Sequence, residues 1–264
     1  MKFTKMHGLG NDYLYVYGEV PGNAAELSKK LSERHLGAGS DGMIYISKSS
    51  IADFKMRIFN ADGSEAKMCG NGIRCVGKYV YDKGYTDKKF LSIETLSGVK
   101  YLTLQVAGGK VKTVTVDMGQ AKAEKPINLT VDGETVSLIP VSVGNPHAVI
   151  FVDDIEKAPL TTLGPKIEHH EAFPDGVNVE FVEVLGADKL RMRVWERGSG
   201  VTMACGTGAC ASVMAAIAAK FFHYDETVSV LLDGGTLKIQ IAPDNTVQMT
   251  GPAEIVYEGE TEIC

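Results

Sequence analysis

The stretch RIFNADGSEAKMCGNG, which begins at Arg57, and the stretch RVWERGSGVTMACGTG, which begins at Arg193, repeat one plan 136 residues apart. That shift lays Arg57 on Arg193, Asn60 on Glu196, Cys69 on Cys205, Gly70 on Gly206 and Gly72 on Gly208. A nearby shift of 134 lays Gly10-Asn11 on Gly144-Asn145. Two segments that share a charged, strand-like run, a short spacer and a CGxG turn imply two halves with similar chain paths, because each half has the same apolar faces to bury.

Each CGxG segment places a thiol where a helix begins. The glycines allow close backbone approach and leave first-turn amide hydrogens without intrahelical acceptors. Such amides bind a carboxylate and stabilise the charge that develops when its α-carbon loses a proton. The same location favours thiolate over thiol, against an ordinary cysteine pKa of about 8.5. Cysteine is also a common buried residue and glycine a common turn residue, so either segment alone says little. Together they suggest inversion: one thiolate removes a proton and the opposite thiol donates one, which a single base does not do. Cys75 and Cys210 lie deeper in the expected helices and read as core, and Cys264 carries no motif.

Composition narrows the chemistry. The chain has 264 residues, 27 basic and 33 acidic, for a net charge of −6, with no basic tail, so nucleic-acid binding has no support. No window has the length and apolarity of a membrane span, and the N-terminus lacks a signal-peptide core, which points to a cytoplasmic protein. Five cysteines, an odd number, fit reduced thiols better than a disulfide framework. Their spacing and the scattered histidines do not suit zinc, so no metal is expected. No lysine stands in a motif that would ask for pyridoxal phosphate, and no cofactor is expected.

In the first half, strands are expected over 3–8, 13–17, 43–47 and 54–60. Asn23 should cap a helix over 24–35, with Glu26 at the capping-box position. A second helix should cover about 71–82 and bury Ile73, Val76, Gly77 and Val80, before strands over 91–96, 99–106 and 110–118. A soft boundary lies in MGQAKAEKPINL, at 118–129. The second half repeats the pattern with strands over 134–145, 147–152, 178–184 and 189–196, and a short helix within 159–173. Residues 207–222 are apolar around most of a helical circumference, the mark of a helix enclosed by sheet. Strands follow over 226–234, 236–242, 246–251 and 253–259, the last of which could join either half. Neither glycine cluster opens a regular strand-helix-strand series, so a doubly wound nucleotide-binding fold is not supported and an α+β protein of two similar domains is.

HGLGNDY at 7–13, FNADGSEAKMCGNGIRC at 59–75, GNPHAV at 144–149, GVNVEF at 176–181 and WERGSGVTMACGTGAC at 195–210 span nearly the whole chain. In these segments and their order the chain resembles the diaminopimelate epimerases, cofactor-independent amino-acid epimerases with two cysteine bases. The resemblance implies that Cys69 and Cys205 interconvert LL- and meso-2,6-diaminopimelate. It implies an α+β fold of two pseudo-symmetric domains, each a curved mixed or antiparallel sheet wrapped around a central helix. The domains would be 1–117 plus 252–264 and 118–251, with the active site in the cleft between them. Homodimerisation and a role in lysine and cell-wall precursor synthesis are further implications.

Carried onto this chain, the resemblance makes Asn11, Asn60, Asn145, Asn178, Glu196 and Arg197 substrate-recognition residues. Arg197 and the asparagines would hold the carboxylate distant from the reacting centre, and Glu196 an ammonium group. Backbone at Gly70-Asn71 and Gly206-Thr207 would grip the reacting carboxylate, and His147 would support the site near a thiol. Read without the family, Asn11, Asn60 and Asn145 are also turn formers, Glu196-Arg197 also a solvated charge pair, and His147 also a hydrogen-bonded loop residue. Two rivals share these features: a two-thiol racemase of proline-like substrates, and a noncatalytic amino-acid-binding module. The chain departs from the family at Met43, where many relatives carry glutamine.

Overall fold

Strict alternation makes KVKTVTVDM a strand with one wet face: Val114, Val116 and Met118 are buried while Thr115 and Asp117 between them are partly exposed. The same logic builds both halves of the computed structural model, which describes residues 1–263 and leaves Cys264 outside them. The chain divides into two compact units, Met1–Val116 with Gly251–Cys264, and Asp117–Thr250.

The first unit runs through β1 (Lys2–Gly8), β2 (Asn11–Tyr17), α1 (Ala24–Ser32), β3 (Gly42–Ser47), β4 (Phe54–Asn60), the short β5 (Glu65–Ala66), α2 (Gly70–Asp82), β6 (Phe90–Thr95), β7 (Gly98–Ala107) and β8 (Lys110–Gln120). Strand β8 carries the chain into the second unit. There follow β9 (Lys122–Ala123), β10 (Ile127–Val131), β11 (Glu134–Ser142), β12 (Pro146–Phe151), a 3₁₀ turn (Ile155–Lys157), α3 (Leu160–Glu168), β13 (Asn178–Gly186), β14 (Lys189–Glu196) and β15 (Gly200–Val201). Then come α4 (Gly206–Ala218), β16 (Thr227–Leu232), β17 (Gly235–Ile241) and β18 (Thr246–Pro252), and β19 (Glu254–Glu260) returns to the first unit.

The two sheets are built alike. In the first unit the strands lie in the order β19-β1-β2-β3-β4-β6-β7-β8, with β2–β3 and β4–β6 parallel and the other neighbours antiparallel. In the second, β10-β11-β12-β13-β14-β16-β17-β18 repeats this, with β12–β13 and β14–β16 parallel. Even the register is kept: Leu14 stands beside Met43, and Ala148 beside Val179. The last strand of the chain thus takes, in the first unit, the edge that β10 takes in the second.

Because side chains alternate along a strand, β3 and β13 each serve two helices. Met43 and Tyr45 pack in one apolar cluster with Leu27 and Leu31 of α1, whereas Ile44 meets Gly72 of α2. In the second unit Val179 and Phe181 pack with Leu160 and Ile167 of α3, whereas Glu180 meets Gly208 of α4. Helix α2 lies against β1, β2 and β7, and α4 against β9, β11, β12, β13 and β17. Both are buried along most of their length, Asn71 through Val80 in α2 and Gly208 through Ala216 in α4. Small residues let the sheet close on them: a methyl group on Gly77 would come within 2.9 Å of Leu102 Cδ2.

Several local expectations need correction. Asn23 stands at the start of α1, but its side chain makes no capping bond, and the helix ends at Ser32 instead of residue 35. Helix α4 ends at Ala218 instead of residue 222, because Lys220 turns into the left-handed region (φ 66°) and the Phe221 amide folds back onto Ala216 O. Strand β10 was not anticipated; it forms by pairing with β11, from Ile127 opposite Leu138 to Val131 opposite Glu134. Met43, where many relatives carry glutamine, is fully buried and packs in the α1 cluster. Among the described residues no helix is long and apolar enough to cross a membrane.

Candidate active site

Cys69 stands in extended conformation (φ −138°, ψ 116°) at the N-cap of α2, and its sulfur accepts the Gly72 amide at 3.3 Å. Cys205 does the same at α4 (φ −113°, ψ 114°), accepting the Gly208 amide at 3.3 Å. A thiol thus fills the place usually taken by a serine or aspartate oxygen. Gly70-Asn71 and Gly206-Thr207 form the first turns behind the sulfurs.

Glycine at the third helical position is needed for space. A methyl group on Gly208 would sit 2.7 Å from Glu180 Oε1, and one on Gly72 2.7 Å from Ile44 Cδ1. The two changes should differ: the Ile44 methyl has freedom to turn aside, whereas Glu180 is fully buried and held by His147. Gly208→Ala is therefore expected to destabilise by about 1–3 kcal/mol, more than Gly72→Ala, in urea unfolding.

The surroundings of the two sulfurs differ sharply. In the first unit the Cys69 thiol donates to Asn11 Oδ1 at 3.3 Å, and Asn11 Nδ2 donates to Asp41 Oδ2 at 2.8 Å. Asp41 also accepts the Asp12 amide at 3.0 Å and Arg34 at 3.0 Å, while Asp12 pairs with Lys5 at 2.8 Å. Burial raises the Asp41 carboxyl above its ordinary value, against the lowering effect of the Asp12 and Asn11 donors. Burial and the neighbouring Cys69 keep Tyr13 a phenol. Asn60 is not drawn to Cys69 by its side chain: its amide donates to Ser64 Oγ at 3.0 Å within its own turn.

In the second unit a relay that starts from a buried Glu180–His147 pair leads to the sulfur. Glu180 Oε1 lies 2.7 Å from His147 Nδ1, His147 Nε2 lies 3.1 Å from Asn145 Oδ1, and Asn145 Nδ2 donates to Thr207 Oγ1 at 3.3 Å. Thr207 Oγ1 lies 3.6 Å from Cys205 Sγ. His147 is a buried strand residue of β12, not a loop residue. Burial first, then the Glu196 and Glu180 carboxylates, push the Cys205 thiol well above its ordinary range. The expectation that a helix start favours the thiolate therefore needs correcting here, since desolvation and two nearby carboxylates outweigh the first-turn amide. Burial also raises Glu196, which accepts a hydrogen bond from the Thr202 hydroxyl.

Asn178 joins two of the motifs: its Nδ2 donates to Pro146 O at 3.0 Å and its Oδ1 accepts the Arg197 amide at 3.0 Å. Arg197 itself reaches Asp175 O at 2.9 Å. Glu168 of α3, absent from the sequence reading, holds this turn from beneath, accepting Trp195 Nε1 at 2.7 Å and the Gly198 amide at 2.8 Å. Asp41 and Glu180 were missed as well. Glu180 had a signal, an acid at an inward position of an apolar strand, where the 136-residue shift puts Ile44 in the other half. Among the described residues no three His, Cys, Asp or Glu side chains converge as metal ligands.

Comparison with known proteins bears on what this site acts upon. The family described as Diaminopimelate epimerase matches residues 3–124 and 139–256. A curated diaminopimelate epimerase of Acetivibrio thermocellus is 51% identical over 279 aligned positions, covering 100% of this chain and 99% of the relative. One from Phocaeicola vulgatus is 52% identical, with the same coverage. Among solved structures, a probable proline racemase from Agrobacterium radiobacter shares the fold with a TM-score of 0.73 at 16% identity, over 100% of this chain and 93% of that one.

Proposed function

The chain belongs to the diaminopimelate epimerase family, and on that premise we propose that Cys69 and Cys205 epimerise LL- and meso-2,6-diaminopimelate by two-base proton transfer. One thiolate takes the α-proton as the C–H bond breaks and an S–H bond forms. The opposite thiol then gives its proton to the other face of the α-carbon, so the roles of thiol and thiolate have exchanged when the product leaves. The observation that carries the reading is the equivalent capping of α2 and α4 by cysteines in two units of the same strand order.

The remaining residues have roles that follow from their chemistry. First-turn amides at Gly70-Asn71 and Gly206-Thr207 hold the reacting carboxylate and stabilise the carbanionic charge, the work a pyridoxal ring would otherwise do. Asn11, Asn60, Asn145, Asn178 and Arg197 bind the distant carboxylate end and Glu196 an ammonium group, with His147 supporting the Cys205 side. The family reading further carries a cytoplasmic homodimer that serves lysine synthesis.

Turnover of LL-diaminopimelate in heavy water tests the mechanism. With two bases, meso product should carry solvent deuterium at the inverted centre while LL substrate recovered early stays almost unlabelled. Label entering recovered substrate in step with turnover would indicate a single base. Binding without any exchange would indicate a noncatalytic module, and preference for a proline analogue would move the substrate assignment.

A further inference from the structure

Asn11 and Asn145 occupy equivalent positions in the two units, yet their amides face opposite ways. In the second unit Asn145 turns its nitrogen toward Thr207, on the Cys205 side, and its oxygen toward His147. In the first unit Asn11 turns its oxygen toward Cys69 and its nitrogen toward Asp41. The reason is local. An ionised carboxylate only accepts, so a nitrogen must face Asp41, and the planar amide then leaves its oxygen for the sulfur. The position equivalent to Asp41 in the second unit is Val177, buried and apolar, which orients nothing.

We propose that Asp41 is a positioning residue of the Cys69 half-site: by fixing the Asn11 amide with its oxygen on the sulfur, it keeps Cys69 a protonated thiol in the resting enzyme. An amide oxygen accepts the S–H hydrogen of a thiol but repels a thiolate, whereas an amide nitrogen in its place would donate to the thiolate. Asp41 itself is rigidly placed, with the Asp12 amide on the same oxygen as Asn11 and Arg34 on the other. Other groups also face the thiol or its partners: Asp12, Tyr13 and Tyr15 on β2, Lys5 on β1, and Arg74 and Cys75 on α2. None of these changes in the variants below. The proposal rests on the two-thiol reading in that a Cys69 held as a thiol must lose its proton before that sulfur can act as the base.

The test is the pH profile of iodoacetamide alkylation at Cys69, read by peptide mass spectrometry with Cys205 as the internal control, since only the thiolate reacts. Asp41→Ala frees the Asn11 amide to turn its nitrogen to the sulfur, and should raise the Cys69 rate near neutral pH about tenfold, the effect of one hydrogen bond to a charged group. Asp41→Asn removes the charge but can keep an acceptor for Asn11, and should leave the Cys69 profile close to that of the unaltered protein. Equal shifts in both variants would mean that charge alone matters and would overturn the proposal, as would no change or a slower Cys69 in Asp41→Ala. Because alkylation needs no turnover, this result is separate from the fate of the epimerase reading, which fails if Cys69→Ala retains full activity.

Discussion

Replacing either Cys69 or Cys205 with alanine should lower epimerisation of diaminopimelate by about a thousandfold or more, in both directions, with the two single variants similarly impaired. A two-base mechanism has no spare group: without one thiol the proton is either not removed or not returned to the opposite face. Alanine also takes away the acceptor of the Gly72 or Gly208 amide. That loss of a cap costs about 0.5–2 kcal/mol of stability, too little to unfold a well-packed unit and so distinguishable from it by the unfolding midpoint. Cysteine to serine keeps a capping oxygen but not a thiol's acidity, so it should restore stability without restoring rate. Near-normal turnover in a folded alanine variant at either position would remove the mechanism.

The second large effect is expected at a residue that touches neither sulfur. Glu168→Leu strips acceptors from the Trp195 indole and the Gly198 amide, on either side of Glu196 and Arg197. An orphaned donor costs roughly 1–3 kcal/mol where it stays buried; the Trp195 indole is partly buried and Gly198 is exposed, so the loss in urea unfolding should be about 1–2 kcal/mol, carried mainly by the indole. Because the turn that carries Arg197 is then released, KM should rise along with any fall in kcat. Glu168→Gln, which keeps one acceptor, should fall between the two. A Leu variant with unchanged stability and KM would show that the turn is held by other contacts, such as Asn178 on the Arg197 amide.

These effects differ in how far they were legible beforehand. Duplication, the enclosed helix at 207–222 and the thiols at two helix starts are properties of short segments, and local periodicity and spacing were enough to read them. Asn11 was read from its motif as a substrate-recognition residue, and its contact with the Cys69 thiol, 58 residues away, appears only in the structure. Asn60, read from the motif at 59–75 as a substrate-recognition residue, donates to Ser64 Oγ within its own turn.

What the sequence alone determined is the plan: two like halves, each with a cysteine at the head of a buried helix, because chain path follows from patterns repeated within a few tens of residues. Only the tertiary structure decided what each sulfur faces. Asp41 reaches Cys69 through Asn11, and Glu180 reaches toward Cys205 through His147, Asn145 and Thr207, across strand neighbours that no local pattern names. The strand pattern left open which half the last strand joins; the family resemblance implied the first, and the register of β19 against β1 is a matter of tertiary pairing. Helix starts are fixed by neighbouring residues, but protonation is fixed by burial and by charges brought near from elsewhere, and these exist only once the sheets have closed around the helices.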